Sequence, residues 1–135
     1  MKIFLDSSFL IYLNASTDES RKPLEQLFKK ILPEELYTNI LVIDETLYIS
    51  RKKYKIPYDL TFNFIKHIIL PYTEIIPIEK IDLEPIRKYL IKYEIKPSDA
   101  IHLATMEKKG INNIVSEDED FDKIKGINRI WLNKI

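Results

Sequence analysis

The sequence predicts an α/β fold built on an open sheet, and three observations carry that prediction. Short runs with strand character recur at 2–5, 36–38, 72–76, 111–115 and 128–132, and the stretches between them have helical periodicity. Acidic residues follow the first and fourth of these runs, at Asp6 and at Glu117 to Asp122. In an open α/β sheet ligands bind beyond the carboxyl ends of the strands, so acids placed there face one crevice. The composition, 45% hydrophobic and 31% charged over 135 residues, describes one globular domain spanning 1–135 and argues against disorder or a fibrous repeat.

Each element has a local reason. The run KIFL at 2–5 reads as a buried strand ending at Asp6, and Ser7 or Ser8 then caps a short helix carrying Phe9, Leu10 and Leu13. Ser20 to Leu32 reads as an amphipathic helix with Leu24, Leu27, Phe28, Ile31 and Leu32 inward, stopped by Pro33. A strand at 36–38 precedes a helix from Ile40 to Tyr54. Pro57 opens a helix to Leu70 with Phe62, Ile65, Ile68 and Ile69 as core residues and His67 partly exposed. Tyr72 to Ile76 is a third strand, and Ile81 to Tyr93 a helix that tolerates Pro85 in its first turn. Pro97 and Ser98 enter the next helix, with Ser98 as N-cap and Gly110 as its stop. The strand NRIWL closes the order, with Trp131 packed against a helix.

The chemistry-bearing residues are acids. Asp6 stands at a strand end, where it serves equally as a helix N-cap or as part of a site. Glu45 shares a helical face with Leu41 and Tyr48, which turns it inward and Asp44 away. Asp99 falls in the first turn of its helix, where the dipole favours negative charge. Asp118 and Asp120 lie in the turn after the fourth strand, a run that read alone is also a solvated surface. Carboxylates gathered in one crevice repel, and a hard cation such as Mg²⁺ or Mn²⁺ compensates them. Cysteine is absent and histidines number two, which leaves zinc poorly supplied. Acids and bases balance at 21 each. Setting the five candidate site acids aside leaves a modest basic excess able to follow phosphates. The apolar run Phe9 to Leu13 is too short for a membrane span and the start lacks a signal-peptide layout, so no membrane and a cytoplasmic location are expected.

Asp6 in FLDSSFLIYL, Glu45 in IDETLY, Asp99 in PSDAIHLAT and Asp118 with Asp120 in IVSEDEDFD resemble, in order and spacing, the PIN-domain nucleases. The resemblance covers nearly the whole chain. It implies a three-layer α/β/α sandwich with a mainly parallel five-stranded sheet, divalent metal, and hydrolysis of single-stranded RNA phosphodiester bonds. It implies Asp6, Glu45, Asp99 and Asp118 as metal-holding catalytic residues and Asp120 as an additional or alternate ligand. Ser8 and Ser116 match small hydroxyl positions that orient ligands, and His102 resembles a structural position of the family. Glu117 departs from the neutral or basic residue common there.

Many domains of this length and family resemble the toxin half of a VapBC toxin-antitoxin pair, dimeric and inhibited by a small antitoxin protein. Others process RNA outside such systems, and a catalytically idle protein-binding scaffold is a further alternative. A receiver-like phosphoacceptor fits less well, because Asp6 is followed by Ser7 and Ser8 rather than by a second acid. A homodimer is expected from Tyr58, Phe62 and Phe64, which one small core does not bury in full.

Overall fold

The computed structural model describes residues 1–132. Its strands are β1 (Lys2–Leu5), β2 (Glu35–Asn39), β3 (Thr73–Ile76), β4 (Asn113–Val115) and β5 (Asn128–Ile130). Its helices are α1 (Ser7–Ala15), α2 (Asp18–Ile31), α3 (Ile40–Tyr54), α4 (Tyr58–Phe64), α5 (Leu83–Tyr93) and α6 (Pro97–Lys108). The strands form one sheet in the order β3-β2-β1-β4-β5, and every pairing is parallel. The expected mainly parallel five-stranded sheet is therefore wholly parallel.

Layering follows from the strand order. From β1 through β2 to β3 the chain steps outward in one direction, then crosses back to place β4 on the other side of β1. Right-handed crossovers in opposite directions put their helices on opposite faces of a parallel sheet. Helix packing agrees: α1 lies against α2 and α3, and α3 against α4, while α5 packs on α6. The result is an α/β/α sandwich. Being central and covered on both faces, β1 is apolar without alternation, and Ile3, Phe4 and Leu5 are all buried. The order reverses between β1 and β4, so the crevice beyond their carboxyl ends is the binding place this topology creates.

Several elements differ from their sequence reading. The stretch 57–70 is not one helix: α4 gives way to a π turn at Ile65–Ile69 and a 3₁₀ turn at Leu70–Tyr72. The wider π turn keeps Ile65 and Ile69 in the core and leaves Ile68 exposed, and Phe62 on α4 before it is exposed as well. Of the aromatics expected on a dimer surface, Tyr58 and Phe62 are exposed, whereas Phe64 packs against the core. Helix α2 begins at Asp18 and retains Pro23 inside it, because burial of Leu24, Leu27, Phe28 and Ile31 outweighs the lost backbone bond. The N-cap of α6 is Lys96 rather than Ser98, with Pro97 in the first helical position. Strand β5 stops at Ile130, and Trp131 packs on Phe9 and Tyr12 of α1 at ring separations of 6.4 and 6.1 Å. No helix among the described residues is long and apolar enough to cross a membrane.

Helix α5 ends on Glu94 in the left-handed region, at φ 52°. A residue with a Cβ is strained there, and glycine is not. Glu94→Gly is expected to raise unfolding stability by about 0.5–1 kcal/mol, despite the entropy glycine adds to the unfolded chain, as read by urea denaturation.

Candidate active site

The site is assembled where β1 and β4 end side by side. Asp6 follows β1 and caps α1, its Oδ1 accepting from the Ser7 backbone N–H at 2.8 Å. Its Oδ2 accepts from the Ser116 hydroxyl at 2.6 Å, and the Asp6 backbone N–H donates to the Val115 carbonyl. Ser116 lies just past β4 and also accepts the Asp118 backbone N–H at 3.0 Å. One hydroxyl thus ties the two strand ends together and orients both acids. Ser8 accepts the Glu117 backbone N–H at 3.0 Å and lies 3.4 Å from the Ser116 hydroxyl.

Asp118 begins the 3₁₀ turn at Glu119–Lys123, accepting the Asp120 backbone N–H at 2.9 Å. Beneath this turn the buried Arg129 donates to both carboxylate oxygens of Asp122 and to the backbone carbonyls of Ser116 and Glu117. Asp122 is thereby engaged in holding the turn. Glu117 is exposed and accepts the Tyr12 hydroxyl at 2.7 Å, which draws its charge to one side.

Asp6, Glu45, Asp99 and Asp118 line one pocket of ≈ 260 Å³, together with Lys53 and Lys96. Asp44, by contrast, is exposed. Two sets of side chains bring ligand atoms within 4.8 Å of one another: Asp6, Glu45 and His102, and Asp99, Asp118 and Asp120. Asp120 is the most exposed acid of these sets and sits 3.9 Å from Lys123. Asp99 is buried in the first turn of α6, and its Oδ2 has no hydrogen-bond partner among the described residues. A buried, unpaired carboxylate oxygen within an all-acid set fits a hard cation, whose ligands are oxygens.

His102, read from sequence as a structural residue, is wholly buried at the centre of this arrangement. Its Nε2 lies 2.9 Å from Glu45 Oε1 and 3.8 Å from Asp6 Oδ1. The proton position follows from Asn39, the N-cap of α3. Asn39 Oδ1 accepts the Val42 backbone N–H, which fixes the amide so that Nδ2 donates to His102 Nδ1 at 3.1 Å and to Thr105 Oγ1 at 3.1 Å. Thr105 in turn donates to the His102 carbonyl. His102 Nδ1 is therefore an acceptor, and the ring proton sits on Nε2, donated to Glu45. The surrounding carboxylates pull the imidazole pKa up against the penalty of burial. A second proton, however, would face the Asn39 amide hydrogen, so the hydrogen-bond pattern favours the neutral ring. The sequence signals for this relay are an Asn directly before a helix and a His three residues after Asp99 on α6.

The PIN-domain family model matches residues 3–127. The chain belongs to the PIN-domain family. It is 29% identical over 133 residues to a VapC ribonuclease of Mycobacterium bovis, covering 95% of this chain and 98% of the relative. To ribonuclease VapC2 of Methanocaldococcus jannaschii it is 31% identical over 134 residues, covering 91% and 89%. Its fold is that of a chain in a toxin-antitoxin complex from Klebsiella pneumoniae, at a TM-score of 0.73 and 20% identity over 98% and 99% of the two chains.

The acids of this PIN domain are not electrostatically equivalent. Burial, followed by the charges of Asp6 and Asp118, pushes the Asp99 carboxyl up to about 7. Burial also raises Asp6, against the hydrogen bonds from Ser116 and Ser7, which favour the carboxylate. An acid whose folded pKa exceeds its unfolded value of about 3.9 binds more protons when folded, so it contributes stability at low pH that is lost as pH rises. For Asp99 that contribution is complete below about pH 4 and gone above about pH 7. In chelator, the stability of the wild type relative to Asp99→Asn is expected to fall across this window. Urea denaturation of both proteins at a series of pH values checks it, and a difference flat with pH would refute the perturbed carboxyl.

Proposed function

We propose that this chain is a divalent-metal-dependent endoribonuclease that hydrolyses phosphodiester bonds of single-stranded RNA and serves as the toxin of a VapBC-type pair. The observation that carries the reading is the convergence of Asp6, Glu45, Asp99 and Asp118 on one pocket at the β1/β4 switch point, with a buried Asp99 oxygen left unpaired. Ribonuclease names on relatives that cover almost the whole chain support RNA as the substrate class. The toxin-antitoxin neighbour supports a small antitoxin protein as partner.

In this reading Asp6, Glu45, Asp99 and Asp118 hold Mg²⁺ or Mn²⁺, with Asp120 as an additional or alternate ligand. The bound cation would lower the pKa of a water molecule and offset the charge that accumulates on the phosphoryl oxygens. The protein's own part is to fix the acids. Ser116 and the Ser7 N–H hold both oxygens of Asp6, and the Asn39–His102 relay holds Glu45. Because His102 Nε2 already carries the proton given to Glu45, the pocket offers oxygen rather than nitrogen ligands, which suits a hard cation over zinc. In this reading the chain works as a single domain, 1–135, in the cytoplasm, where RNA is available. A homodimer is supported by the exposed Leu60 and Phe62 of α4.

Purified protein with Mg²⁺ or Mn²⁺ is expected to cleave an unstructured oligoribonucleotide and to leave duplex RNA largely intact. EDTA should abolish cleavage, and Asp99→Asn should reduce the rate by roughly two to four orders of magnitude, the scale of losing a group that stabilises transition-state charge. Cleavage persisting in Asp99→Asn after thorough chelation would overturn the metal-nuclease reading.

A further inference from the structure

One face of α3 connects the acids to a different chemistry. Glu45, Ile49 and Lys53 follow at intervals of four, so they form one stripe along the helix, and all three line the pocket. The stripe runs from a carboxylate to a cation over about 12 Å of helix axis. Tyr54 and Lys96 line the same pocket, as do the apolar Ile11 and the ring of Tyr12. The pocket therefore combines acids with aromatic, apolar and basic groups, Lys96 lying beside Asp99 and Lys53 about two helical turns beyond Glu45.

Beyond Lys53 the basic character continues outside the pocket. Arg51, Lys52, Lys53 and Lys55 are all exposed, and none is ion-paired to a carboxylate among the described residues. On α5 and α6, Lys88, Lys108 and Lys109 meet carboxylates, while Lys92 is also unpaired among the described residues and lies 5.4 Å from the Tyr93 ring, so what sets the α3 cluster apart is its continuity with the acidic pocket through Lys53 and Tyr54. Tyrosines are interleaved with the free cations. Arg51 lies 4.8 Å from the centre of the Tyr58 ring, Lys52 5.4 Å from Tyr48 and Lys53 5.5 Å from Tyr54. The final turn of a helix attracts positive charge through its dipole, and part of the cluster serves that end. That role does not call for aromatic partners or for continuity with an acidic pocket. Cations alternating with aromatic faces are instead what a groove for single-stranded nucleic acid requires, since phosphates need charge and every base has a face to stack.

We propose that the carboxyl-terminal end of α3 is the strand-binding rim of this site, on which Tyr54 stacks a base next to the scissile phosphate and Lys53, Lys52 and Arg51 follow the neighbouring phosphates. The proposal rests on the ribonuclease reading and adds the path by which RNA leaves the pocket. Net charge gives no hint of such a surface, because it is zero over the whole chain. The rim is a local excess set against a local deficit. A phosphate bridging the two meets carboxylates and their cation on one side and lysines on the other. Duplex RNA keeps its bases stacked inside and offers none to Tyr54, which gives a physical reason for preferring single strands.

The test separates binding from cleavage. Asp99→Asn in Mg²⁺ serves as the background, and binding of a fluorescein-labelled, unstructured 12-nucleotide RNA is followed by anisotropy at several salt concentrations. Adding Arg51→Gln, Lys52→Gln and Lys53→Gln is expected to weaken binding at least ten-fold. The dependence of log affinity on log salt should become shallower by about 2, three contacts at roughly 0.7 each for a single strand. Tyr54→Phe should keep the affinity and Tyr54→Ser should lower it roughly five- to a hundred-fold, the range for losing one stacked base. Unchanged affinity and salt slope in the triple variant would overturn the rim and leave these cations to the end of α3 alone, seen then as a lowered melting temperature only. Background protein that binds no RNA would overturn it as well. Failure of the ribonuclease reading shows separately, as wild type that binds the oligonucleotide on the rim without cutting it.

Discussion

Four carboxylates converge on one pocket, two of them buried, and the rest of the structure is arranged around tolerating them. Asp6 and Asp99 are buried, and burial is the largest influence on both, disfavouring their charged forms. Isolated anions in such a place would protonate or reorient. Here each is given a reason to stay: Asp6 by a serine hydroxyl and a helix N-terminus, Glu45 by a histidine proton, Asp118 by its own turn. Asp99 is the exception, with one oxygen unpaired and a carboxyl raised to about 7. It is the point at which a cation has most to offer.

The sheet order explains why these residues meet. Asp6 and Asp118 are distant in sequence, and they become neighbours because β4 pairs with β1. Glu45 arrives on a crossover helix of one layer and Asp99 on a helix of the other, so the pocket draws on both faces of the sandwich. The acidic turn is partitioned in the same economical way. Arg129 takes Asp122 and Tyr12 takes Glu117, which leaves Asp118 to face the pocket and Asp120 at its exposed margin. An acidic run that reads as uniform in sequence thus has distinct fates for each member.

Much of this was legible beforehand, for physical reasons that also show where legibility ends. Asp6, Asp99 and Asp118 announce themselves because each stands at an element boundary, and such positions can be read from apolar runs and turn residues. Glu45 does line the pocket, but not for the reason helical spacing offered: Tyr48, expected on the same inward face, is exposed, and it is the His102 hydrogen bond that holds Glu45. The His102 relay was not legible, since a histidine on an apolar helix face does not disclose its partners, and these lie on α3 and at its start, far away in the chain. The π turn at 65–69 was hidden as well: its apolar residues fit an ordinary helical stripe, and only packing decides that Ile65 and Ile69 go inward while Phe62 does not. The misplaced cap at Ser98 has a simpler cause, because Pro97 occupies the first helical position and moves the cap back to Lys96.

If Asp6, Glu45, Asp99 and Asp118 are held together against their own repulsion, the metal-free protein is weakened by its own site and a cation relieves it. Thermal unfolding of wild type and Asp99→Asn, in EDTA and then in Mg²⁺ or Mn²⁺, measures that directly. In EDTA the variant is expected to melt at or above wild type, and metal should raise the wild type by more than the variant. At a hundred times its dissociation constant a cation that binds only the folded state adds about 2.7 kcal/mol. An Asp99→Asn protein that melts lower in EDTA and gains as much from metal as wild type would contradict the claim, and would make Asp99 a structural residue of α6 rather than part of the site.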